Sequence, residues 1–126
     1  MQANWNDSQP IYRQLRDKVI ASILDNELKE GDALPSVRQV SADFQLNPIT
    51  VSKAYQELVD DSVVEKKRGV GMFIQQGARE KLLNQERQQF LTQEWPLIVE
   101  RISRLGLKLS DLPDADTKSN SEGGNS

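Results

Sequence analysis

The chain has 126 residues, with 16 Lys or Arg against 19 Asp or Glu and a formal net charge of -3. That length holds one domain with at most a short appendage, which excludes barrel enzymes and two-domain dehydrogenases. The complete lack of Cys and His removes disulfides, the usual zinc ligands, a Cys nucleophile and the common proton shuttle near neutral pH. The chain therefore reads as a non-enzyme that needs no cofactor and no metal. A net negative charge is not the mark of a bulk polyanion binder, so any contact with nucleic acid must come from a few locally placed cations.

Met1 to Asp7 is polar and lacks the apolar run of a signal peptide. No stretch approaches the roughly 18 apolar residues that span a bilayer, so no membrane partner and a cytoplasmic location are expected. The first periodic segment runs from about Pro10 to Asn26. Ile11, Leu15, Val19, Ile20, Ile23 and Leu24 fall on one helical stripe, with Ser8 as the expected N-cap and Pro10 in the first turn. Glu30-Gly31-Asp32 reads as a turn.

A second, shorter helix starts at Ser36, whose hydroxyl can cap the N–H of Arg38 or Gln39. Val37, Val40 and Phe44 face inward. Asn47-Pro48 breaks the pattern and opens a third helix, with Asn47 as cap and Pro48 in the first turn. Val51, Ala54, Tyr55, Leu58 and Val59 point inward, leaving Ile49, Thr50, Ser52, Lys53 and Gln56 on the other face. Two short amphipathic helices joined by about three residues form a helix-turn-helix.

Val63 to Lys66 and Met72 to Gln75 flank the Gly-containing connection Lys67 to Gly71, which predicts a β-hairpin. Lys66-Lys67-Arg68 is expected at its tip. Beyond Gly77 the helical period returns. Leu91, Trp95, Ile98, Ile102 and Leu105 follow heptad spacing, and Leu83 and Phe90 extend the seam. Pro96 should kink or split this helix, and Gly106 should stop it. Pro113 to Ser126 is polar and reads as a disordered tail. The fold class is thus mainly α with a small β-hairpin: a winged helix-turn-helix domain over 1–76, a helical dimerisation segment over 77–112 and the tail over 113–126.

A hairpin directly after a recognition helix is a wing. The helix fits the major groove, where base edges are distinguishable, while cations at the wing tip meet a phosphate or the minor groove. Arg38 can bind a phosphate or a guanine, or it can form a surface ion pair with Asp43. Lys53 can reach a phosphate or a guanine, with Thr50 and Ser52 beside it. Ile49 can pack on a thymine methyl or turn into the core. The seam from Leu83 to Leu105 can fold back as core or join two chains. So small a domain leaves little surface to bury the seam, which favours a homodimer. Gly69-Val70-Gly71 is too short for a nucleotide-binding loop.

Three runs, taken in order, resemble the GntR family of bacterial transcription regulators. They are Pro10-Ile11-Tyr12 with Leu15, Gly31-Asp32-Ala33-Leu34-Pro35-Ser36-Val37-Arg38, and Asn47-Pro48-Ile49-Thr50-Val51-Ser52-Lys53-Ala54-Tyr55-Gln56-Glu57-Leu58. The Asn-Pro-x-Thr-Val…Ala-Tyr run and the short C-terminal part look most like its YtrA subfamily. The resemblance implies a homodimeric repressor on a palindromic operator in double-stranded DNA, often in operons with ABC transporter genes. It implies DNA contacts from Ser36 and Arg38, from Asn47, Thr50, Ser52 and Lys53, and from Lys67, Arg68, Gly69 and Gly71 at the wing. It names no small-molecule effector. The competing reading from another class is a winged-helix module that holds a partner protein.

Overall fold

The computed structural model describes residues 5–114. Of the tail expected over 113–126, residues 115–126 lie outside the described residues. The chain divides between Glu86 and Arg87 into two compact units.

In the first unit, α1 (Ile11–Leu24) leads into α2 (Val37–Phe44) and α3 (Pro48–Asp60). The N-cap of α1 is Pro10, and no side chain caps it. The hydroxyl of Ser8, expected as that cap, instead donates to Asn6 Oδ1. The other two caps form as expected. Ser36 Oγ accepts from Gln39 N at 3.0 Å, and Asn47 Oδ1 accepts from Ile49 N at 2.9 Å. Gln45, with φ 55, makes the left-handed residue between the two helices. It turns the chain sharply enough for α2 and α3 to share one core.

The hairpin follows as β1 (Val64–Lys67) and β2 (Gly71–Ile74), antiparallel, with Val64 opposite Ile74 and Lys66 opposite Met72. Lys66 is therefore a strand residue rather than part of the tip. Gly31–Leu34, which opens in the expected Glu30-Gly31-Asp32 turn, also pairs along the free edge of β2. Gly31 N donates to Ile74 O, Ile74 N to Asp32 O and Leu34 N to Met72 O, each at 2.8 Å. Pro35 ends that pairing after too few residues for a strand pattern to show, because a proline cannot donate to a ladder.

Leu15, Val19, Ile23, Val51, Ala54, Tyr55, Leu58, Val64 and Ile74 are buried in one core, which Ala78 and Leu82 of α4 (Ala78–Gln89) complete. Buried Gln14 serves the N-terminal segment. Its Nε2 donates to Asn6 O and Gln9 O, and its Oε1 accepts from Asn6 N. Lys81 donates to the carbonyl of Asp61, which satisfies the C-terminal end of α3. That offsets the unfavourable charge of Asp60-Asp61 there.

In the second unit, a π-helical turn at Phe90–Glu94 precedes α5 (Trp95–Arg104). Pro96 is the reason. It has no N–H to give, and its ring crowds the carbonyl one turn earlier, so the helix widens just before it. Gly106, at φ 71, ends α5, with its N–H donating to Ser103 O at 3.0 Å. No helix among the described residues is long and apolar enough to cross a membrane.

Candidate nucleic-acid interface

The first turn of α2 and the N-terminal half of α3 carry most of the polar residues expected to meet DNA. Arg38 is exposed and, among the described residues, pairs with no carboxylate. The ion pair with Asp43 is not formed. On α3, Ser52 and Lys53 are exposed and Thr50 is half-buried. Ile49 is 73% exposed, which settles its direction away from the core. Ser36 and Asn47 stand at the two helix starts, where each spends its side-chain oxygen on a cap.

Charge is graded along α3. Thr50, Ser52 and Lys53 lie toward its start, whereas Glu57 and Asp60 lie toward its end. Glu57 accepts from Arg16 at 3.0 Å, and Asp60 accepts from Gln56 at 2.9 Å. Only the start of this helix can approach a phosphate strand without repulsion, the geometry in which a recognition helix presents its N-terminal residues to base edges. Arg16 is neutralised between Asp17 and Glu57, at 3.0 Å from each, and so is no part of this face.

The wing tip is a four-residue turn in which Val70 N donates to Lys67 O at 2.9 Å. Gly69 takes φ +75 there, a backbone region that side chains rarely adopt. Arg68 is exposed at the tip, Val70 is 70% exposed, and Lys67 Nζ stands 4.9 Å from the Phe73 ring centroid. The wing and the start of α2 enclose a groove of about 440 Å³, lined by Ser36, Val37, Lys66, Lys67, Gly69 and Gly71 among others. The fold thus gathers Ser36, Lys67, Gly69 and Gly71 around one groove.

Tyr55 reaches the same groove from α3 and is almost completely buried. Its Oη donates to Pro35 O at 2.7 Å, which ties α3 to the loop that launches α2. Burial pushes its phenol up to about 12. The sequence identifies Tyr55 as core, but nothing in the spacing indicates the hydroxyl's partner, which lies 20 residues away in the chain.

Lys53 does not line the groove. Its Nζ lies 4.2 Å from the ring centroid of Tyr12 on α1. Arg13 Nε donates to the Tyr12 hydroxyl at 3.3 Å, and that bond is the main reason the guanidinium is held above its ordinary pKa. Tyr12 and Arg13 were not among the residues expected at this face. The motif Pro10-Ile11-Tyr12 marks the position but not the cations that gather on it.

Of the seven residues expected in the dimer seam, Leu83 is half-buried in the first unit. The other six lie in the second. Phe90, Leu91, Trp95, Ile98 and Leu105 are exposed, Trp95 at 37% being the least so, and Ile102 is half-buried. Phe90 and Trp95 stack at a tilt, with centroids 6.3 Å apart. Leu97, Val99, Leu107 and Leu109 are also exposed and apolar. Leu97, Val99 and Leu107 lie off the heptad positions, and Leu109 continues the spacing but falls beyond the helix stop at Gly106.

The model of bacterial regulatory proteins of the gntR family matches residues 11–74. The uncharacterized HTH-type transcriptional regulator YhcF of Bacillus subtilis is 30% identical over 124 residues, covering 98% of this chain and 100% of its own length. The HTH-type transcriptional repressor YtrA of Bacillus subtilis is 39% identical over 83 residues, covering 66% of this chain and 64% of its own. Among solved structures, a GntR family transcriptional regulator from Listeria monocytogenes superposes with a TM-score of 0.70 at 28% identity, covering 85% of this chain and 92% of that one.

Proposed function

Because the chain belongs to the GntR family, as a YtrA-like regulator, we propose that it acts as a homodimer that represses transcription from a palindromic operator. The winged helix-turn-helix over 1–76 binds DNA, and the segment over 77–112 joins two copies. One observation carries the DNA-binding part. Arg38, Lys53, Lys67 and Arg68 are exposed on the helix-turn-helix and wing, and among the described residues none of them pairs with a carboxylate. An acidic chain that leaves these cations unneutralised on a groove-reading scaffold has a local attraction for phosphate despite its net charge.

In this reading Arg38, Lys53, Lys67 and Arg68 neutralise phosphates and set the register, with Gly69 and Gly71 letting the wing backbone come close. Thr50 and Ser52 read base edges, Lys53 stays within reach of a guanine, and exposed Ile49 packs on a thymine methyl. The exposed apolar row of Phe90, Leu91, Trp95, Ile98 and Leu105 supports the second copy, since its burial would remove a large apolar area from water. Two-fold symmetry then matches a palindrome. The YtrA-like character supports an operon with ABC transporter genes as the target, reached in the bacterial cytoplasm.

Selection of bound duplexes from a random pool, followed by titration against salt, tests the proposal. A palindromic consensus is expected. The affinity should fall with a log–log salt slope of roughly -7, as for about eight phosphate contacts in a dimer. No sequence preference, together with a stoichiometric protein partner in pull-downs, would favour the interaction-module reading instead.

A further inference from the structure

We infer that Tyr12 is a positioning residue that holds Lys53 and Arg13 ready for the duplex, and that Arg13 is itself a phosphate contact. The inference rests on the DNA-binding reading above and extends its cationic face from α3 onto the first turn of α1. Tyr12 is the second residue of α1, half-buried against the core, and the packing of α1 on α3 brings its ring beneath Lys53. At 4.2 Å the ammonium sits well within the range at which a ring face attracts a cation. The Tyr12 hydroxyl accepts from Arg13 Nε, and the Arg13 Cζ lies 5.9 Å from the same ring centroid. One aromatic side chain therefore organises two cations from two helices.

The choice of an aromatic ring matters. A carboxylate would hold these cations equally well but would cancel their charge, as Asp17 and Glu57 do for Arg16. Those two carboxylates are also the acidic groups that act on Arg13, and both are already engaged by Arg16. A ring orients a cation and leaves its charge available to an incoming anion. Lysine and arginine lose much rotamer freedom when they bind, so holding them in place beforehand lowers the entropy lost on contact. The guanidinium is exposed, and among the described residues its terminal nitrogens have no protein acceptor, so they are free for phosphate oxygens.

The test uses the full chain and two probes, a duplex selected from a random pool by the wild-type protein and an unrelated duplex of equal length. Tyr12→Leu is measured with Lys53 present and in a Lys53→Ala background. With Lys53 present it should weaken binding to the selected duplex by about five-fold, the size of one exposed cation–π contact. In the Lys53→Ala background the loss should shrink to the part carried by Arg13. Arg13→Gln should lower the salt slope by about one per subunit on both duplexes. An equal loss from Tyr12→Leu in both backgrounds would make Tyr12 merely structural and overturn its positioning role. An unchanged slope in Arg13→Gln would remove Arg13 from the interface. If Tyr12→Leu fails to fold by thermal melting, Tyr12→Phe and Arg13→Gln decide the matter. Equal, non-additive slope losses support the inference, and wild-type slopes in both overturn it. A wild-type chain that selects no duplex brings down the DNA reading and this inference together. A wild-type chain that binds while the cycle is additive brings down this inference alone.

Discussion

The two units bury their apolar residues in opposite ways. In the first, side chains from α1, α2, α3, the hairpin and the start of α4 close over one another, and Leu15, Val19, Ile23, Val51 and Leu58 are fully buried. In the second, no described residue is buried, although α5 carries Trp95, Leu97, Ile98, Val99 and Ile102 within two turns. Both units contain helices with apolar stripes. A stripe therefore predicts that a face is to be covered and says nothing of what covers it. In the first unit the covering elements follow within the same stretch of chain. In the second we attribute the cover to another copy.

Five changes would break or sharpen this contrast. The largest effect is expected from Leu58→Ala, which opens a cavity in the closed core. It should cost about 3 kcal/mol in denaturant unfolding, independent of protein concentration. The second is Ile98→Asp on the open face. It should convert the proposed dimer to monomer in sedimentation and weaken binding to a two-half-site duplex on the order of 100-fold by loss of linkage between sites. Binding to a single half-site should not change. If Ile98→Asp lowered the melting temperature as Leu58→Ala does, without changing the oligomeric state, the contrast between the units would fail.

The third change separates surface from core within the first unit. Arg38→Ala should leave stability within about 0.5 kcal/mol. Its affinity should fall about ten-fold on every sequence, and its salt slope should drop by about one per subunit. Thr50→Ala, by comparison, should shift which base is preferred at one position of the selected site.

The smallest effect is expected from Tyr55→Phe. Loss of the bond to Pro35 O should cost about 1 kcal/mol near neutral pH. The pH dependence has a definite sign. Burial raises the phenol from 10.0 to about 12, so the folded chain keeps a proton that the unfolded chain gives up. The Tyr55 contribution is full below about pH 10 and is lost as pH rises through about 12. Unfolding curves of Tyr55→Phe across that window should be flatter than those of the wild type.

Much of the molecule was decided by local chemistry and was therefore legible in the residues. Ser36 and Asn47 cap their helices because a side-chain oxygen three or two residues before a free N–H lies within its reach. Gly69 marks the wing turn because its backbone angle suits glycine. The apolar spacing of α1, α2 and α3 names the core residues, since helical period fixes which side chains share a face. Pro96 announced a disturbance without saying which kind, and only the folded chain chose a widened turn over a sharp break.

Tertiary structure alone decided the contacts between residues far apart in the chain. It laid Gly31–Leu34 along β2, joined Tyr55 to Pro35, set Lys53 and Arg13 around the ring of Tyr12, and left Arg38 without the partner its sequence neighbours offered. The physical reason is the same in each case. Caps, turns and helical faces depend on atoms within about one turn of chain, so residue order determines them. A hydrogen bond or ring contact across two elements depends on how those elements pack, and that is set by the whole core rather than by either partner's neighbours.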